Sequence, residues 1–552
     1  MEMLKLKLKN GEEINVEKET TIYEVIKKNS LEKDIPIVLG KINGELHELT
    51  HKLESSGELL TVDITDPVGL KVYERTLVFV LIKVVLDLYP DAKVTIEHTL
   101  GKGIYGEIHK GEDLTEEDIK KIKIRMRQLV EAKIKINKVI LKREKAINIF
   151  SSYGMEDKIK LLKYMQSEEV RLYELDGRYD YFYGSMAYST EILKVFELDF
   201  HKPGFLLRFP STKSPNKISE YVSQDKLESI FYETEKWGNI LEVGDVGSLN
   251  NKVVNGEISN IIRVSEALHE KKIAYISDMI SEKENVKVVL IAGPSSSGKT
   301  TFSKRLGIQL RVNGCIPVPI SLDDYFVDRE HTPRDENGEY DFESIMALDL
   351  ELFNSNIKDL MEGKEVELPS FNFKKGQREW TNKKIKLPEN GVIIIEGIHG
   401  LNEMLTSSIP KENKFKIYIS ALTQLNLDDH NRISTTDVRM LRRIVRDYLS
   451  RGYGGEDTLK MWPSIRKGEE KNIFVFQEQA DAMFNSTLVY ELCVLKKYAL
   501  VELAKIDSKS PVYYEAVRLR RFLNFFMDID RDLVPDNSIL REFVGGSYFY
   551  RY

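Results

Sequence analysis

The feature that most constrains this chain is the loop Gly-Pro-Ser-Ser-Ser-Gly-Lys-Thr at residues 293–300. An apolar run with the composition of a buried strand, Val286–Ala292, precedes the loop, and a segment with helical periodicity, Thr300–Val312, follows it. Glycines at the two ends of such a loop let backbone N–H groups turn inward around an anion, and the following helix adds the positive end of its dipole. The pattern predicts a phosphate-binding loop, and an ordinary Gly/Ser turn is the less favoured interpretation.

The residues of this loop have distinct expected roles. Lys299 is expected to reach the β- and γ-phosphates of a nucleotide, and the Thr300 hydroxyl is expected to hold Mg²⁺. The other contacts come from the loop backbone and from the residue that follows it. The predicted nucleotide-binding residues are Gly293, Pro294, Ser295, Ser296, Ser297, Gly298, Lys299, Thr300 and Thr301.

Strand and helix patterns alternate after the loop. Further strands are predicted at Pro317–Ser321, Val392–Glu396 and Phe415–Ile419. This alternation is typical of βαβ units, so residues 286–490 are predicted to form an α/β domain with a doubly wound parallel sheet. Residues 491–552 are predicted to form a helical C-terminal extension.

Acidic residues follow two of the predicted strands. Asp323 and Asp324 come directly after one strand, and Glu396 ends another. Ligands of open α/β sheets bind outside the carboxyl ends of the strands, where these side chains should meet. Either aspartate could accept a proton from an attacking hydroxyl, or both could cap the next helix. Glu396 occupies the position expected of a metal-binding carboxylate.

Five arginines lie close together after the last of these strands. Spacings of three and four residues place the first four on one helical face. Arginines in such a pattern most often lie on a solvated surface, but beside a phosphate site they could form a lid that neutralises transition-state charge. They are Arg439, Arg442, Arg443, Arg446 and Arg451.

Composition argues against several other classes of protein. The net charge of −7 argues against a broad nucleic-acid-binding surface, although a local basic patch remains compatible with it. Cys315 and Cys493 are isolated and form no disulfide or metal pattern. The most apolar early run, residues 76–88, is too short to span a bilayer and predicts a buried helix. We expect a soluble cytoplasmic protein without a membrane segment.

The N-terminal half predicts two smaller modules and a connecting region. Residues 1–65 show an α+β pattern, with a hairpin around Asn10-Gly11 and a helix over Ile22–Lys28. Residues 66–69 are interpreted as a linker. Residues 70–200 form a second unit, whose longest charged helix begins after Thr115, and residues 201–285 connect it to the loop-bearing domain.

Residues 286–490 resemble the uridine kinase/phosphoribulokinase family. The resemblance rests on the loop at 293–300 and on three later motifs, Ser-Leu-Asp-Asp-Tyr-Phe at 321–326, Glu-Gly-Ile at 396–398 and Arg-Met-Leu-Arg-Arg-Ile-Val-Arg-Asp at 439–447. It implies ATP and Mg²⁺ as cofactors, with Asp323 as catalytic base. The other implied residues are Lys299, Arg443 and Arg446 for catalysis, Arg451 for the nucleotide, Thr300, Glu396 and Asp323 for the metal, and Asp324, Tyr325, Phe371, Arg378 and Arg443 for the acceptor.

The acceptor-reading positions depart from this family. Phe371 replaces a tyrosine that reads the pyrimidine, and Gly376 stands where a histidine is expected. Tyr453 stands where a lid arginine also helps to read the base. A site without the hydrogen-bonding partners of a base should discriminate poorly for that base. Uridine or cytidine is the default acceptor of the family, and another nucleoside or a sugar alcohol is the alternative.

The N-terminal half resembles threonyl-tRNA synthetases. Residues 1–65 look like a β-grasp-like TGS domain, and residues 70–200 look like the synthetase editing domain, through the segments at 88–93, 103–105 and 114–118. Editing in that family uses histidines and a cysteine, and the matching positions here are Arg75, Phe79, Phe182 and Met186. Without imidazole or thiol to activate water, we predict that this domain does not hydrolyse mischarged tRNA.

Two functional hypotheses follow from these resemblances. The first is a kinase that phosphorylates a hydroxyl of a small molecule. The second is an RNA-associated ATPase switch that binds tRNA or ribosome through the N-terminal domains. A homo-oligomer is a further expectation, because the tyrosine-rich stretch at 179–188 could form an interface, although ordinary core and rim packing is the favoured interpretation of this stretch.

Overall fold

A computed structural model describes residues 2–31, 34–334, 338, 340–372, 375–423 and 425–550. The chain divides into two compact units. Unit 1 comprises residues 1–224, 244–250 and 424–433, and unit 2 comprises residues 225–243, 251–423 and 434–552.

Unit 1 begins with a five-stranded sheet in the order β2-β1-β5-β3-β4, in which β1 and β5 run parallel and the other pairs are antiparallel. Alternate leucines of β1 pack with the apolar face of α1 in one core. The predicted hairpin turn and helix are confirmed: Gly11 has a φ of +84°, and Thr21 caps α1 in a reciprocal capping box with Glu24. The elements are β1 Met3–Leu8, β2 Glu13–Glu17, α1 Ile22–Lys28, β3 Ile37–Ile42, β4 Glu45–Glu48 and β5 Gly57–Asp63.

The second part of unit 1 contains a four-stranded sheet, β11-β12-β7-β6, and a three-stranded sheet, β10-β9-β8. Their core surrounds α2, whose residues from Thr76 to Val85 are all buried, as the apolar run predicted. The elements are α2 Pro67–Leu88, β6 Lys93–Leu100, β7 Gly103–His109, α3 Glu116–Glu131, β8 Ile136–Lys142, α4 Arg143–Ser152, α5 Glu156–Lys163, β9 Glu169–Leu175, β10 Arg178–Asp180, β11 Glu197–His201 and β12 Gly204–Arg208. Within the described residues, no helix has the length and apolar character needed to cross a bilayer.

Two expectations for this region differ from the structure. The linker predicted at residues 66–69 is wrong, because α2 already begins at Pro67. Asp66 is its N-cap, and the Asp66 carboxylate accepts a hydrogen bond of 2.8 Å from the N–H of Val68. Proline at the first helical position needs no intrahelical N–H partner, so a helix start fits this sequence better than a break. The boundary placed at residue 200 falls inside β11, and β12 continues the same sheet by pairing with β7.

Unit 2 is built on a five-stranded parallel sheet in the order β14-β17-β13-β18-β21, with helices packed around it, as the alternating pattern predicted. An antiparallel pair, β15 and β16, lies outside this sheet. From residue 225 the helices are α6 Asp225–Leu241, α7 Val246–Val254, α8 Ile258–Ser281, α9 Lys299–Val312, α10 Leu350–Met361, α11 Thr435–Arg446, α12 Gly455–Asn472, α13 Glu491–Ala504, α14 Tyr513–Leu523 and α15 Arg541–Val544. The strands of unit 2 are β13 Val288–Ala292, β14 Ile316–Ser321, β15 Glu365–Asn372, β16 Gln377–Lys386, β17 Gly391–Glu396, β18 Lys414–Ser420 and β21 Ala482–Asn485, and the same stretch of chain contains β19 Asn426–Asp428 and β20 Asn431–Arg432. The C-terminal extension is helical only in part, because irregular segments separate α13, α14 and α15.

The short hairpin β19–β20 belongs to unit 1, although the neighbouring chain on both sides belongs to unit 2. It brings Asp428, His430 and Asn431 against Lys158 and Asp180, and these five residues are called the Lys158 cluster below. The ammonium of Lys158 lies 3.0 Å from a carboxylate oxygen of Asp180 and 3.0 Å from one of Asp428. His430 Nδ1 lies 2.7 Å from the other Asp180 oxygen, and the Asn431 amide donates to Asp428 at 2.8 Å.

All members of the Lys158 cluster are buried, and Asp180 and Asp428 are fully inaccessible to solvent. Burial alone would lower the pKa of Lys158, but the two carboxylates reverse that effect and raise it. Likewise, burial would raise the pKa of Asp180, and Lys158 and His430 hold it below its usual range. Lys158 and Asp180 therefore keep each other charged, whereas burial outweighs the attraction of Lys158 at Asp428 and raises the pKa of that carboxyl. The hairpin is held in unit 1 by these polar contacts as well as by apolar packing.

Candidate active site

The loop at 293–300 joins the central strand β13 to helix α9, and its backbone shape requires glycine at two positions. Gly298 has a φ of +82°, and a Cβ atom there would lie 2.5 Å from a methyl carbon of Ile539. A Cβ atom on Gly293 would lie 2.0 Å from the carbonyl oxygen of Ile419. The tight turn aims the N–H groups at the start of α9 into the loop, which is the arrangement that binds anions.

The polar groups inside the loop fit a phosphate. Lys299 donates hydrogen bonds to the carbonyl oxygens of Gly293 at 2.9 Å and Pro294 at 3.2 Å, so its ammonium spans the loop. The hydroxyl oxygens of Ser296 and Ser297 are buried and have no hydrogen-bond partner in the described part of the chain. Buried polar groups without a partner are costly, and phosphate oxygens would satisfy them.

The carboxyl edge of the sheet brings the predicted metal-binding residues together. Glu396 ends β17 and lies in register with Ser321 of β14 and Ile291 of β13. The Thr300 hydroxyl donates a hydrogen bond of 3.1 Å to the Glu396 carboxylate. Burial raises the pKa of Glu396 to about 7, Lys299 opposes this rise, and the nearby Glu542 adds to it. A hydroxyl and a carboxylate in contact are the oxygen donors that suit Mg²⁺.

The two aspartates after β14 have different environments. The Asp324 carboxylate accepts a hydrogen bond of 3.2 Å from the backbone N–H of Phe371, which ties it to β15. Asp323 is exposed to solvent at the edge of the sheet, yet the surrounding protein desolvates it enough to raise the pKa of its carboxyl, while Lys299 acts in the opposite direction. Asp323 is thus the better placed of the two to meet a ligand, as the family resemblance implied.

Helix α11 supports the loop with arginines that are not on a solvated surface. Arg439 and Arg442 are buried, and they donate to the loop carbonyl oxygens of Ser295 at 3.1 Å and Ser296 at 3.3 Å. Arg443 donates to the Ser295 hydroxyl at 2.6 Å, so its guanidinium lies at the loop. The first two arginines bond to the loop backbone, whereas Arg443 bonds to a loop side chain and also lies 3.1 Å from the Asp447 carboxylate.

The other two predicted lid arginines pair with Asp447, a buried carboxylate that also lies 3.1 Å from Arg443. Arg446 donates two hydrogen bonds to the Asp447 carboxylate, at 3.0 and 2.8 Å. Arg451 lies 3.8 Å from the same carboxylate, and about half of its side chain is exposed, at 53%. The charge of Arg451 also lowers the pKa of Asp323, so Arg451 lies within electrostatic reach of the carboxyl edge of the sheet, and the roles expected of Arg446 and Arg451 in catalysis and nucleotide binding stay predictions.

The residues predicted to hold the acceptor are only partly arranged for that role. Tyr325 is fully buried, receives a hydrogen bond from the Asn356 amide and packs edge-to-face on Phe353, which argues against a contact with an acceptor. Arg378 is paired with Asp349 at 3.0 Å. Phe371 packs its ring against Phe326 at 5.6 Å. Residues 373 and 374, in the same strand connection, lie outside the described residues.

Two acidic residues at the loop were not anticipated from the sequence. Glu469 of α12 accepts a hydrogen bond of 2.9 Å from the N–H of Ser295, and it is held by Arg439 at 2.8 Å. Glu542 of α15 accepts hydrogen bonds from the N–H and the hydroxyl of Thr301, at 3.1 and 2.7 Å. Both residues lie far from the loop in sequence, and no local motif marks them.

A phosphate-binding loop after the central strand of a parallel sheet, with a lysine, a threonine–glutamate pair and an aspartate at the carboxyl edge, defines unit 2 as a P-loop phosphotransferase. Residues 288–491 match the model of the Phosphoribulokinase / Uridine kinase family. Residues 288–491 therefore form a domain of that family.

Several solved structures of kinases match part of this chain at low TM-scores. A "possible uridine kinase" from Bacillus stearothermophilus is 18% identical, with 39% of this chain and 98% of that chain covered at a TM-score of 0.26. D-glycerate 3-kinase from Cryptococcus neoformans is 15% identical, with 48% and 89% covered at a TM-score of 0.21.

The N-terminal region is similar to threonine–tRNA ligases. The enzyme of Rickettsia canadensis is 28% identical over 197 residues, which are 36% of this chain and 31% of that protein. The enzyme of Fusobacterium nucleatum is 32% identical over 181 residues, which are 32% of this chain and 29% of that protein. The chain thus spans less than a third of the length of these relatives.

The four positions that correspond to editing residues take part in core packing or hydrogen bonding within unit 1. Phe79, Phe182 and Met186 are buried in the main core of unit 1, and the rings of the two phenylalanines lie 5.1 Å apart. Arg75 donates a hydrogen bond to the carbonyl oxygen of Ser185. Apolar packing at three of these positions supports the prediction that the domain does not hydrolyse mischarged tRNA, which stays a prediction.

Proposed function

We propose that the chain transfers the γ-phosphoryl group of ATP to a hydroxyl of a nucleoside or a related small molecule. The observation that carries this proposal is the convergence of the loop, the Thr300–Glu396 pair and Asp323 at one edge of the parallel sheet. A nucleotide switch has no need of a solvent-exposed carboxylate at that edge. A kinase needs one to receive the proton of the attacking hydroxyl.

In the proposed reaction, a bond forms between the acceptor oxygen and the γ-phosphorus, and the bond from that phosphorus to the β–γ bridging oxygen breaks. Asp323 takes the hydroxyl proton, and burial by the surrounding protein raises its pKa, which makes the carboxylate a stronger base. Lys299 and Arg443 stabilise the negative charge on the transferred group. Thr300 and Glu396 would hold Mg²⁺, which would supply positive charge to neutralise the phosphates.

The proposed class of acceptor is based on the side chains at the positions that read the base in uridine kinases. Phe371, Gly376 and Tyr453 supply no side-chain partners matching those of the uridine kinase pattern. We therefore propose that selection acts mainly on the hydroxyl-bearing part of the acceptor, a ribose or polyol.

The test is turnover of ATP by the purified full chain against a panel of nucleosides, ribose derivatives and polyols, with product identified by mass spectrometry. One phosphorylated product formed in step with ADP would support the proposal and name the acceptor. If no acceptor yields a phosphorylated product, the kinase assignment of this chain is wrong.

Glu396→Gln should raise the Mg²⁺ concentration needed for half-maximal turnover by about tenfold or more, because even residues that only orient metal ligands contribute 10–100-fold to metal affinity. Glutamine can keep the hydrogen bond from Thr300, so the fold should persist. Turnover titrated with MgCl₂ measures the change. Glu403→Gln, which alters a carboxylate paired with Lys414 outside the site, is the matched control. An equal Mg²⁺ requirement in both variants would remove Glu396 from the metal site.

A second candidate function is an RNA-linked ATPase, supported by the similarity of the N-terminal region to threonine–tRNA ligases. In that case tRNA or ribosomes, rather than small hydroxyl compounds, should stimulate ATP turnover. RNA binding through phosphate contacts should also weaken steeply as salt rises. The affinity for RNA measured at two KCl concentrations therefore tests this candidate, and a weak affinity that does not depend on salt would count against it.

A further inference from the structure

The segment at residues 538–546, called the C-terminal segment below, covers the end of the phosphate-binding loop. Its residue Glu542 accepts hydrogen bonds through one carboxylate oxygen from the N–H of Thr301 at 3.1 Å and from the hydroxyl of Thr301 at 2.7 Å. Both residues are buried. The contact is therefore made away from solvent, where a charged hydrogen bond is strong.

Thr301 is the third residue of α9, so its N–H has no partner within the helix and belongs to the donors that a bound phosphate would use. A carboxylate oxygen on this N–H presents the same chemistry as a phosphate oxygen: an anionic acceptor at the positive end of the helix dipole. The structure thus holds an internal anion at a position where the loop is built to bind an external one.

The C-terminal segment is attached by contacts other than Glu542. A methyl group of Ile539 lies against Gly298, where a Cβ atom would be only 2.5 Å away. Phe543 is buried beneath the guanidinium of Arg442, whose carbon lies 4.9 Å from the ring centre. Arg531 donates to the carbonyl oxygen of Val544 at 3.2 Å. The segment should consequently stay folded when the Glu542 charge alone is removed.

The charge of Glu542 also reaches the catalytic groups. Burial lowers the pKa of Lys299, and Glu396 and then Glu542 oppose that shift. Burial raises the pKa of Glu396, and Glu542 raises it further. An incoming nucleotide would meet this negative charge beside its own phosphates, so its binding is weakened as long as Glu542 stays on Thr301.

We propose that the C-terminal segment is an autoinhibitory element, in which Glu542 occupies the place of a nucleotide phosphate oxygen at Thr301 and must leave before the nucleotide binds fully. This inference rests on the proposed function, because it takes the ligand of the loop to be ATP. It assigns Glu542 a regulatory role and no part in phosphoryl transfer.

The first test is the affinity of the full chain for ADP and ATP, measured by isothermal titration calorimetry. Glu542→Gln should bind both nucleotides about tenfold more tightly than the natural sequence, since glutamine fills the same space without the charge. Glu502→Gln is the control, because Glu502 is a buried carboxylate of unit 2 that bonds to Gly455 and Lys505 rather than to the loop. Its affinities should equal those of the natural sequence.

The second test is hydrogen–deuterium exchange of the natural chain with and without ATP. Amides of residues 538–546 should lose protection when ATP binds, whereas those of β13 should not. Unchanged affinity in Glu542→Gln together with unchanged exchange would overturn the inference and leave the proposed function intact. Nucleotide binding by Glu542→Gln alone would support the inference. If neither protein binds a nucleotide, the proposed function and this inference fail together.

Discussion

Replacing Asp323 with asparagine is expected to lower the rate of phosphoryl transfer by about 10²–10⁴-fold, the usual contribution of a positioned general base. Asparagine keeps the size and the oxygen of the side chain but cannot take the proton of the acceptor hydroxyl. The measurement is the initial rate of acceptor phosphorylation at saturating ATP and Mg²⁺, with ATP affinity measured in parallel. Affinity should change little, because the loop and Lys299 are untouched.

Asp324→Asn is the matched control for this prediction. The Asp324 carboxylate accepts a hydrogen bond from the backbone of Phe371, so its change should affect the packing of β15 more than the chemical step. We expect less than about a tenfold loss of rate, the size of one weakened hydrogen bond. A larger loss of rate in Asp324→Asn than in Asp323→Asn would make Asp324 the general base. Full activity of Asp323→Asn would show that Asp323 is not the base.

The parts of the site that the sequence predicts are those that local spacing determines. A strand, a glycine-rich turn and a helix in direct succession fix where Lys299 and Thr300 lie. Glu396 meets Thr300 because the carboxyl ends of neighbouring parallel strands meet at one edge of the sheet. Lys299 and Thr300 begin α9 and Glu396 ends β17, so each functional residue belongs to the helix or strand that positions it.

The parts that could not be predicted depend on contacts between distant segments. Glu469 and Glu542 bond to the loop from 174 and 241 residues away, and each occupies an ordinary position in its own helix. Tyr325 belongs to a conspicuous motif, yet its ring turns into the core because Phe353 and Asn356 of α10 accommodate it. Arg439 and Arg442 share a helical face with Arg443, and only the packing shows that they support the loop from behind.

The unit to which the hairpin β19–β20 belongs also depends on contacts between distant segments, which the sequence does not reveal. The sequence places residues 424–433 in the loop-bearing domain, since the chain runs through them between β18 and α11. Their packing in unit 1 depends on Lys158 and Asp180, which are 270 and 250 residues away from their partners Asp428 and His430. A charged residue such as Lys158, on a short polar helix, gives no sign in the sequence that it is buried.

Replacing Lys158 with methionine is expected to destabilise unit 1 by about 3–5 kcal/mol, because it leaves the carboxylates of Asp180 and Asp428 buried without their cation. The methionine side chain fills most of the space, so the loss comes from charge rather than from a cavity. The two units can be followed separately in urea. All three tryptophans, Trp237, Trp380 and Trp462, lie in unit 2, so their fluorescence reports that unit alone, whereas circular dichroism reports both.

In Lys158→Met, the part of the circular dichroism change that reports unfolding of unit 1 should therefore occur at a lower urea concentration. The urea midpoint measured by tryptophan fluorescence, which reports unit 2, should not change. Lys93→Met is the control, because Lys93 of β6 pairs with a carboxylate of the same hairpin. Lys93 lies 3.1 Å from Asp429, but its side chain is 59% exposed, so the loss should stay below about 1 kcal/mol. Equal midpoints in the two variants would mean that the buried pairs contribute no more than a surface ion pair, and that apolar packing alone holds the hairpin in unit 1.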